Sequence, residues 1–460
     1  MTNGSIDLAV TNGLIVSSQE VVLGDVLIRD GLVAGVAPPG SSGPAQRKLD
    51  AEGKFVLPGI IDAHLHPVYA DRMDTLSAAA AREGVTTLIP YVGAVKAWGQ
   101  EGGLVQALDD FMAEGQRDSM VDFSLHCTLM QADMADASRT IPQLIERGIT
   151  SFKGFMAYAK RGMKLEDSEI LKLMSIIGRH GGLFAAHAEN GDIIDYLEEL
   201  FIAQGKETPE YYPPSHPNTS EAEAIFRLLT LAQAADCPVY IPHISTAEAL
   251  EVVKLFKAWG SPKFYSETCP HYLCLTSELM TKYGSLAKMA PPLRSKADNE
   301  ALWRAVAQGL IDVVASDHAA SSSQKNQPLR DKIFSAPNGI PGMESLLKTV
   351  YQHGVNEGRL TLPSLVRVLC ENPARAFGLY PQKGALIPGA DADLIVLDPA
   401  APFTLPAQHQ NLQVDYSLFE GHQGLGGVTL TMQRGEVIFA EGELRARPGQ
   451  GEFLAAKRHS

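Results

Sequence analysis

Short apolar runs alternate with helical stretches along the middle of the chain, from residue 56 to about 375. The stretches between the runs include residues 74–83 and 167–179, and the second repeats apolar residues at helical spacing. Eight runs have the length and composition of buried strands, at residues 59–64, 85–91, 121–129, 149–156, 183–188, 239–244, 262–267 and 311–316. Such alternation is typical of parallel β/α units, and eight strands close a barrel. The pattern therefore predicts an α/β fold with a TIM-like (β/α)8 barrel over residues 56–378.

Both ends of the chain show a different pattern, in which short β-rich segments are separated by turns. Asn-Gly and Asp-Gly turn signals divide residues 6–55, and a similar pattern returns from residue 389. Neither end alone has enough strands to bury a face, so we expect the two ends to form one small β-sandwich domain. We assign residues 1–55 and 379–445 to this domain, and residues 446–460 to a loose C-terminal tail.

Composition limits the classes of function that are open to this chain. Its 460 residues are 45% hydrophobic and 20% charged, which suits a globular protein with a barrel and a smaller domain. A net charge of -14 without a basic stripe argues against binding nucleic acid. No apolar run approaches the ~18 residues of a membrane-spanning helix, and the N-terminus does not resemble a signal peptide. The five scattered cysteines lack a CxxC pair, so we expect a cytoplasmic protein with reduced thiols.

Ionisable side chains stand at the C-terminal ends of the predicted strands, where barrels of this kind carry their catalytic groups. His64 and His66 end the first strand, and residues two apart on a strand point the same way. Two imidazoles on one face can bind one metal ion. His187 and His243 end later strands, although a lone buried histidine is more often packing. Asp317 ends the last strand, where it could equally be a helix N-cap. Each signal is weak alone, but together they form a coherent set.

Lys153 is the most informative of these side chains. It lies in the fourth predicted strand among Phe152, Gly154, Phe155 and Met156, where a lysine cation is costly to bury. One interpretation is a snorkelling or salt-bridged lysine. The other is that the amine has lost its proton and taken up carbon dioxide, so that the two oxygens of the carbamate bridge two metal ions.

Motifs spread over the whole chain resemble those of the cyclic amidohydrolases. In chain order they are Pro58-Gly-Ile-Ile-Asp-Ala-His-Leu-His, Phe152-Lys-Gly-Phe-Met-Ala-Tyr, His187-Ala-Glu-Asn, His243-Ile-Ser, Glu267-Thr-Cys-Pro-His-Tyr-Leu, Pro291-Pro-Leu-Arg, Ser316-Asp-His, Asn372-Pro-Ala-Arg and Gly389-Ala-Asp-Ala-Asp-Leu-Ile-Val-Leu-Asp. The resemblance runs from about residue 6 to 445 and is greatest to dihydropyrimidinases and D-hydantoinases.

This resemblance implies an enzyme that opens a small cyclic amide by hydrolysis. The substrate would be a hydantoin, a dihydropyrimidine or a related cyclic ureide or imide, attacked by a hydroxide between two metal ions. An allantoinase or another ureide or imide hydrolase is the alternative within the superfamily. A third interpretation is a non-catalytic scaffold protein, which the filled ligand positions argue against. The resemblance also implies a homotetramer or a homodimer.

The resemblance further implies a role for individual residues. The six ligands of a binuclear centre, most often zinc, would be His64, His66 and Asp317 on the more buried ion, His187 and His243 on the other, and Lys153 on both. Lys153 would be modified by carbon dioxide to N6-carboxylysine. Asp317 would also transfer protons, and Tyr158 would donate a hydrogen bond to the developing oxyanion. Tyr158, Ala290 and Asn338 would bind the substrate, and the last two would do so through main-chain atoms.

Some positions depart from the related families. Val68 stands where dihydroorotases have an arginine that binds a carboxylate, which disfavours an acidic substrate unless Arg72 replaces that cation. The loop after His66 is shorter than in hydantoinases, so the preferred exocyclic substituent is open. His271 stands where hydantoinases more often have glutamine, and it either supports a site residue from behind or is simple packing.

Overall fold

The computed structural model of this protein describes residues 6–98, 102–326, 329 and 332–459. Two sheets organise these residues: a parallel sheet from the middle of the chain and a largely antiparallel sheet built from both ends. Among the helices of these residues, none combines the length and the apolar character needed to cross a membrane.

The N-terminal part of the chain contributes five strands to the terminal sheet. They are β1 (Ile6–Val16), β2 (Val21–Arg29), β3 (Leu32–Ala37), β4 (Ala45–Asp50) and β5 (Phe55–Pro58). Asp30 and Gly31 connect β2 to β3 and have φ angles of 51° and 74°. Positive φ at both central residues is what a two-residue hairpin turn of the Asp-Gly type requires.

The parallel sheet forms the wall of a barrel. Its strands are β6 (Ile60–Leu65), β7 (Val85–Val92), β8 (Asp122–Phe123), β9 (His126–Thr128), β10 (Ser151–Phe155), β11 (Leu183–His187), β12 (Val239–Ile241), β13 (Phe264–Thr268) and β14 (Val313–Val314). All eight predicted strands are present, and the third is divided into β8 and β9, which both pair with β7. A parallel bridge between Leu65 and His318 joins the two ends of the sheet. The predicted (β/α)8 barrel is therefore confirmed.

Helices connect the barrel strands and cover the outside of the barrel. They are α1 (Met73–Arg82), α2 (Leu104–Asp118), α3 (Ala137–Glu146), α4 (Asp167–Arg179), α5 (Gly191–Ala203), α6 (Tyr212–Ser215), α7 (Asn218–Ala235), α8 (Ala247–Trp259), α9 (Pro270–Cys274), α10 (Leu279–Tyr283), α11 (Lys296–Ala307), α12 (Ser323–Asn326), α13 (Leu346–Val350), α14 (Leu362–Val366) and α15 (Asn372–Ala376). Helix α4 has the predicted bounds and buries Ile170, Leu173 and Ile177 on one face. Its apolar stripe, repeated at helical spacing, faces the core.

Four C-terminal strands complete the terminal sheet. They are β15 (Leu394–Thr404), β16 (Gln423–Gln433), β17 (Glu436–Ala440) and β18 (Glu443–Leu444). Strand β5 pairs with β1 on one side and with β15 on the other, so both chain ends join in one nine-stranded sheet. Side chains from both ends, such as Val26, Val56 and Leu394, pack into one apolar core. The predicted small β domain built from both termini is therefore confirmed.

A buried network of ion pairs links the terminal sheet to the barrel at the N-terminal end of β8. The ammonium of Lys383 donates to Asp122 of β8 at 2.6 Å and to Asp393 at 2.7 Å, and it lies 2.9 Å from Asp391. Arg434 also contacts Asp122. Three clustered carboxylates could bind a cation, but the ammonium of Lys383 already contacts all three of them, so each buried carboxylate has a cationic partner.

The segment after residue 445 is not the loose tail that was predicted. In β8, Phe123 donates its backbone N–H to Glu452 at 2.9 Å and accepts from Leu454 at 2.7 Å. The side chain of Leu454 is buried. The prediction was wrong because a polar composition with Gly and Pro does not reveal that the backbone of residues 446–459 has hydrogen-bond partners on the barrel.

Candidate active site

The six predicted metal ligands converge at the C-terminal ends of the barrel strands. They are His64 near the end of β6, His66 directly after β6, Lys153 in β10, His187 at the end of β11, His243 after β12 and Asp317 after β14. Nε2 of His64 lies 3.1 Å from Oδ1 of Asp317, and Nε2 of His66 lies 3.6 Å from the same oxygen. Nζ of Lys153 lies 3.4 Å from Nε2 of His64. The side chains of His64, His66 and Asp317 therefore lie close together, and Lys153 lies beside them.

The other two histidines form a second group beside the first. Nδ1 of His187 lies 3.1 Å from Nε2 of His243. The ring centres of His64 and His243 are 5.4 Å apart, so the two groups are neighbours. Residues that are far apart in sequence thus meet because every barrel strand ends at the same edge of the sheet.

Two buried carboxylates hold histidine rings from behind. Nδ1 of His64 lies 2.7 Å from Oε1 of Glu267, and Nε2 of His187 lies 2.8 Å from Oε2 of Glu189. Glu267 also accepts the backbone N–H of His243 at 3.0 Å. A carboxylate on one ring nitrogen fixes the ring so that its other nitrogen can face a metal ion. Neither glutamate was predicted to act here, although a glutamate inside the buried strand β13 was an available signal.

Burial sets the charge states of the cluster. It lowers the pKa of His64 to about 3 and that of His66 to about 4, so both rings are neutral near pH 7. Burial also lowers the pKa of the Lys153 ammonium to about 8. Burial alone would raise the pKa of the Asp317 carboxyl, but the neighbouring His64 and His66 help to hold it well below its usual range. Neutral imidazoles and an ionised carboxylate are the forms that bind metals.

This set of donors fits a divalent metal ion. The ligand atoms of His64, His66 and Asp317 all lie within 4.8 Å of one another, and imidazole and carboxylate groups suit zinc. Lys153 is 2% exposed, and among the described residues no carboxylate oxygen lies within ion-pair distance of its ammonium, although the charges of Asp317 and Glu267 act to raise its pKa. Its ammonium instead lies 4.0 Å from the centre of the Tyr91 ring. The salt-bridge interpretation of Lys153 is therefore not supported.

Three of the predicted site residues have an unusual backbone conformation. The φ angles are 69° at Tyr158, 43° at His243 and 47° at Asp317. Residues other than glycine rarely adopt positive φ, and such strained positions cluster at functional sites. The sharp backbone turn after a strand aims each of these side chains into the same space.

A cavity opens above the cluster. The predicted substrate-binding residues Tyr158, Ala290 and Asn338 line it together with all of the predicted ligands except His64. The ring centre of Tyr158 is 4.7 Å from that of His187. Much of the remaining wall is apolar and includes Val68, Trp98, Phe155, Met163, Met289 and Ile340.

Arg72 does not supply the cation that is missing at position 68, where this chain has Val68. Its Nε lies 3.1 Å from Oε1 of Glu114, and it is not among the described residues that line the cavity. Arg161 lines the cavity instead and packs 5.5 Å from the centre of the Tyr158 ring. This cation was not predicted, because the loop that carries it shows no periodic pattern.

His271 lies next to a predicted ligand and does not line the cavity. It is buried, with its ring centre 4.2 Å from that of Tyr272. A ring nitrogen of His271, the sulfur of Cys269 and a carboxylate oxygen of Asp317 all lie within 4.8 Å of one another. Of the two interpretations left open by the sequence, this position favours support of a site residue from behind.

Comparisons with known proteins agree with this geometry. The family model described as "Amidohydrolase family" matches residues 55–438. The D-hydantoinase of Ralstonia pickettii is 37% identical over 468 residues, which cover 99% of this chain and 100% of that protein. A solved D-hydantoinase structure is 36% identical with a TM-score of 0.90, covering 98% of this chain and 99% of that one. The L-hydantoinase (dihydropyrimidinase) of Arthrobacter aurescens is 34% identical with a TM-score of 0.91, covering 98% and 100%.

Proposed function

Since this chain belongs to the amidohydrolase family, we propose that it opens cyclic amide rings, such as hydantoins and dihydropyrimidines, by metal-dependent hydrolysis. The product would be an N-carbamoyl or related open-chain acid. One observation carries the proposal: the six predicted ligands meet beneath a cavity that Tyr158, Ala290 and Asn338 line. Assembly as a homotetramer or homodimer and a cytoplasmic location remain predictions from the sequence.

The family implies a divalent metal centre, and we propose that it holds two zinc ions bridged by a carbamate on Lys153. One ion would be held by His64, His66 and Asp317, and the other by His187 and His243. The burial of Lys153, its lack of an ion pair in the described residues and its 3.4 Å distance from His64 support the carbamate. When bound, the ions would supply an acidified water and polarise the amide carbonyl.

The side chains around the cavity would carry the remaining steps. Asp317 is ionised and lines the cavity, so it can accept a proton from the attacking water and pass it to the departing amide nitrogen. Tyr158 lines the same cavity, and its hydroxyl can donate a hydrogen bond to the oxygen that becomes negative. Main-chain groups of Ala290 and Asn338 would hold the ring amide between these two side chains.

A substrate profile tests this proposal. Purified protein supplied with zinc and bicarbonate is assayed for ring opening of hydantoin, 5-phenylhydantoin, dihydrouracil, allantoin and dihydroorotate. We expect the hydantoins or dihydrouracil to have the highest kcat/KM, because the cavity wall is largely apolar, Val68 stands where dihydroorotases have an arginine, and Arg161 packs against the ring of Tyr158. Activity on dihydroorotate alone, or metal-loaded protein that opens none of the rings, would contradict the proposal.

A further inference from the structure

Lys288 is a buried cation next to the cavity. It is 2% exposed and lies just before Met289 and Ala290, which line the cavity. Within the described residues, no carboxylate lies within ion-pair distance of its ammonium, and burial lowers its pKa to about 7 against the opposing effect of the Glu198 charge. Burying a lysine without a paired charge is costly, so the contacts of this ammonium need an explanation.

The contacts of Lys288 hold the segment that carries Asn338. Its ammonium donates to the carbonyl of Ala336 at 2.8 Å and lies 3.4 Å from that of Phe334. The backbone N–H of Gly339 donates to the carbonyl of Lys288 at 2.9 Å. Lys288 therefore binds this segment on both sides of Asn338. Its ammonium contacts the carbonyls that precede Asn338, and its backbone carbonyl accepts from Gly339, which follows Asn338.

Tyr212 of helix α6 contacts both Lys288 and the same segment. The Lys288 ammonium lies 5.0 Å from the centre of the Tyr212 ring, a cation–π distance. The hydroxyl of Tyr212 donates to Oδ1 of Asn338 at 3.2 Å. Tyr212 is 1% exposed. Neither Lys288 nor Tyr212 is among the described residues that line the cavity, so both would act through the segment between them.

We propose that Lys288 and Tyr212 are positioning residues that fix the main chain around Asn338 and thereby set the affinity of the site for the substrate ring. This inference deepens the proposed function and rests on it. Main-chain groups bind a ring well only when their positions are held before the ring arrives, because ordering them on binding costs affinity. The pair would thus lower KM without touching the substrate or the metal ligands.

Lys288→Met tests the inference because methionine keeps an unbranched apolar side chain, one atom shorter than that of lysine, and removes the N–H donors. We expect KM for hydantoin to rise about tenfold or more, with a change in kcat of less than about threefold, because ring binding is lost rather than proton transfer. Bound metal should stay unchanged, and backbone amide exchange should speed up in residues 334–339. Tyr212→Phe should give a smaller shift in the same direction. Lys254→Met, at an exposed position on α8, is the matched control.

Unchanged KM and unchanged exchange in both variants would overturn the inference. A loss of bound metal and of kcat at constant KM would also overturn it, since that result assigns a purely structural role. If Lys288→Met does not fold, Tyr212→Phe decides, because it removes a single hydroxyl. A wild-type protein that opens no cyclic amide would contradict the proposed function, whereas exchange in residues 334–339 would still report whether the two residues hold the segment.

Discussion

Replacing Lys153 by alanine is expected to abolish ring opening and to release bound metal. Lys153 is the residue predicted to bind both ions, and its Nζ lies 3.4 Å from Nε2 of His64. Without the carbamate, the two ions would lose their shared anionic ligand and face each other with less compensating charge. We expect kcat/KM for hydantoin to fall by about a thousandfold or more, as for loss of a metal-generated nucleophile.

Added short-chain carboxylic acids should partly restore the Lys153→Ala variant. Acetate or propionate can occupy the space that the side chain leaves and supply two oxygens in place of the carbamate. The measurement is the zinc content and the rate of hydantoin opening with increasing acid, beside wild type and beside Lys172→Ala, an exposed lysine on α4. A variant that keeps both its metal and its activity without added acid would rule out a bridging role for Lys153.

Asp317→Asn is expected to separate catalysis from metal binding. Asparagine keeps the size of the side chain and one oxygen, and the histidines with Lys153 can still bind metal. The amide cannot accept the proton of the attacking water, and general acid–base groups contribute about 10²–10⁴-fold to rate. We therefore expect kcat to fall by about that factor while at least one ion per chain remains bound.

The Asp317→Asn variant and wild type must be compared by their kcat values at equal, measured metal content. Metal analysis and steady-state kinetics are made on the same sample, with Asp110→Asn, an exposed aspartate on α2, as the control. Retention of more than about a tenth of wild-type kcat in metal-loaded protein would contradict proton transfer by Asp317.

Two simple rules predict that the candidate residues meet at one edge of the barrel, and the resemblance to cyclic amidohydrolases implies their roles as metal ligands. Apolar runs of the right length mark the barrel strands, and catalytic groups in such barrels lie at the strand ends. His187 and His243 are 56 positions apart in the chain, yet their ring nitrogens are 3.1 Å apart, since β11 and β12 are neighbouring strands. The topology alone brings such residues together.

The parts that could not be predicted depend on side-chain direction and on irregular backbone. A periodic pattern does not reveal which carboxylate meets which ring nitrogen, so the contacts of Glu189 and Glu267 were missed. Arg72 pairs with Glu114 and does not line the cavity, whereas Arg161 does. The sequence pattern reveals neither position. The contacts of Lys288 depend on backbone carbonyls in a loop, whose directions the residue types do not set.

An anomalous difference map at the zinc absorption edge, from crystals grown with zinc and bicarbonate, tests the binuclear centre most directly. We expect two peaks, one beside His64, His66 and Asp317 and the other beside His187 and His243, with density for a carbamate on Lys153 between them. A map without metal at these residues, in protein that still opens hydantoin rings, would contradict the proposed centre.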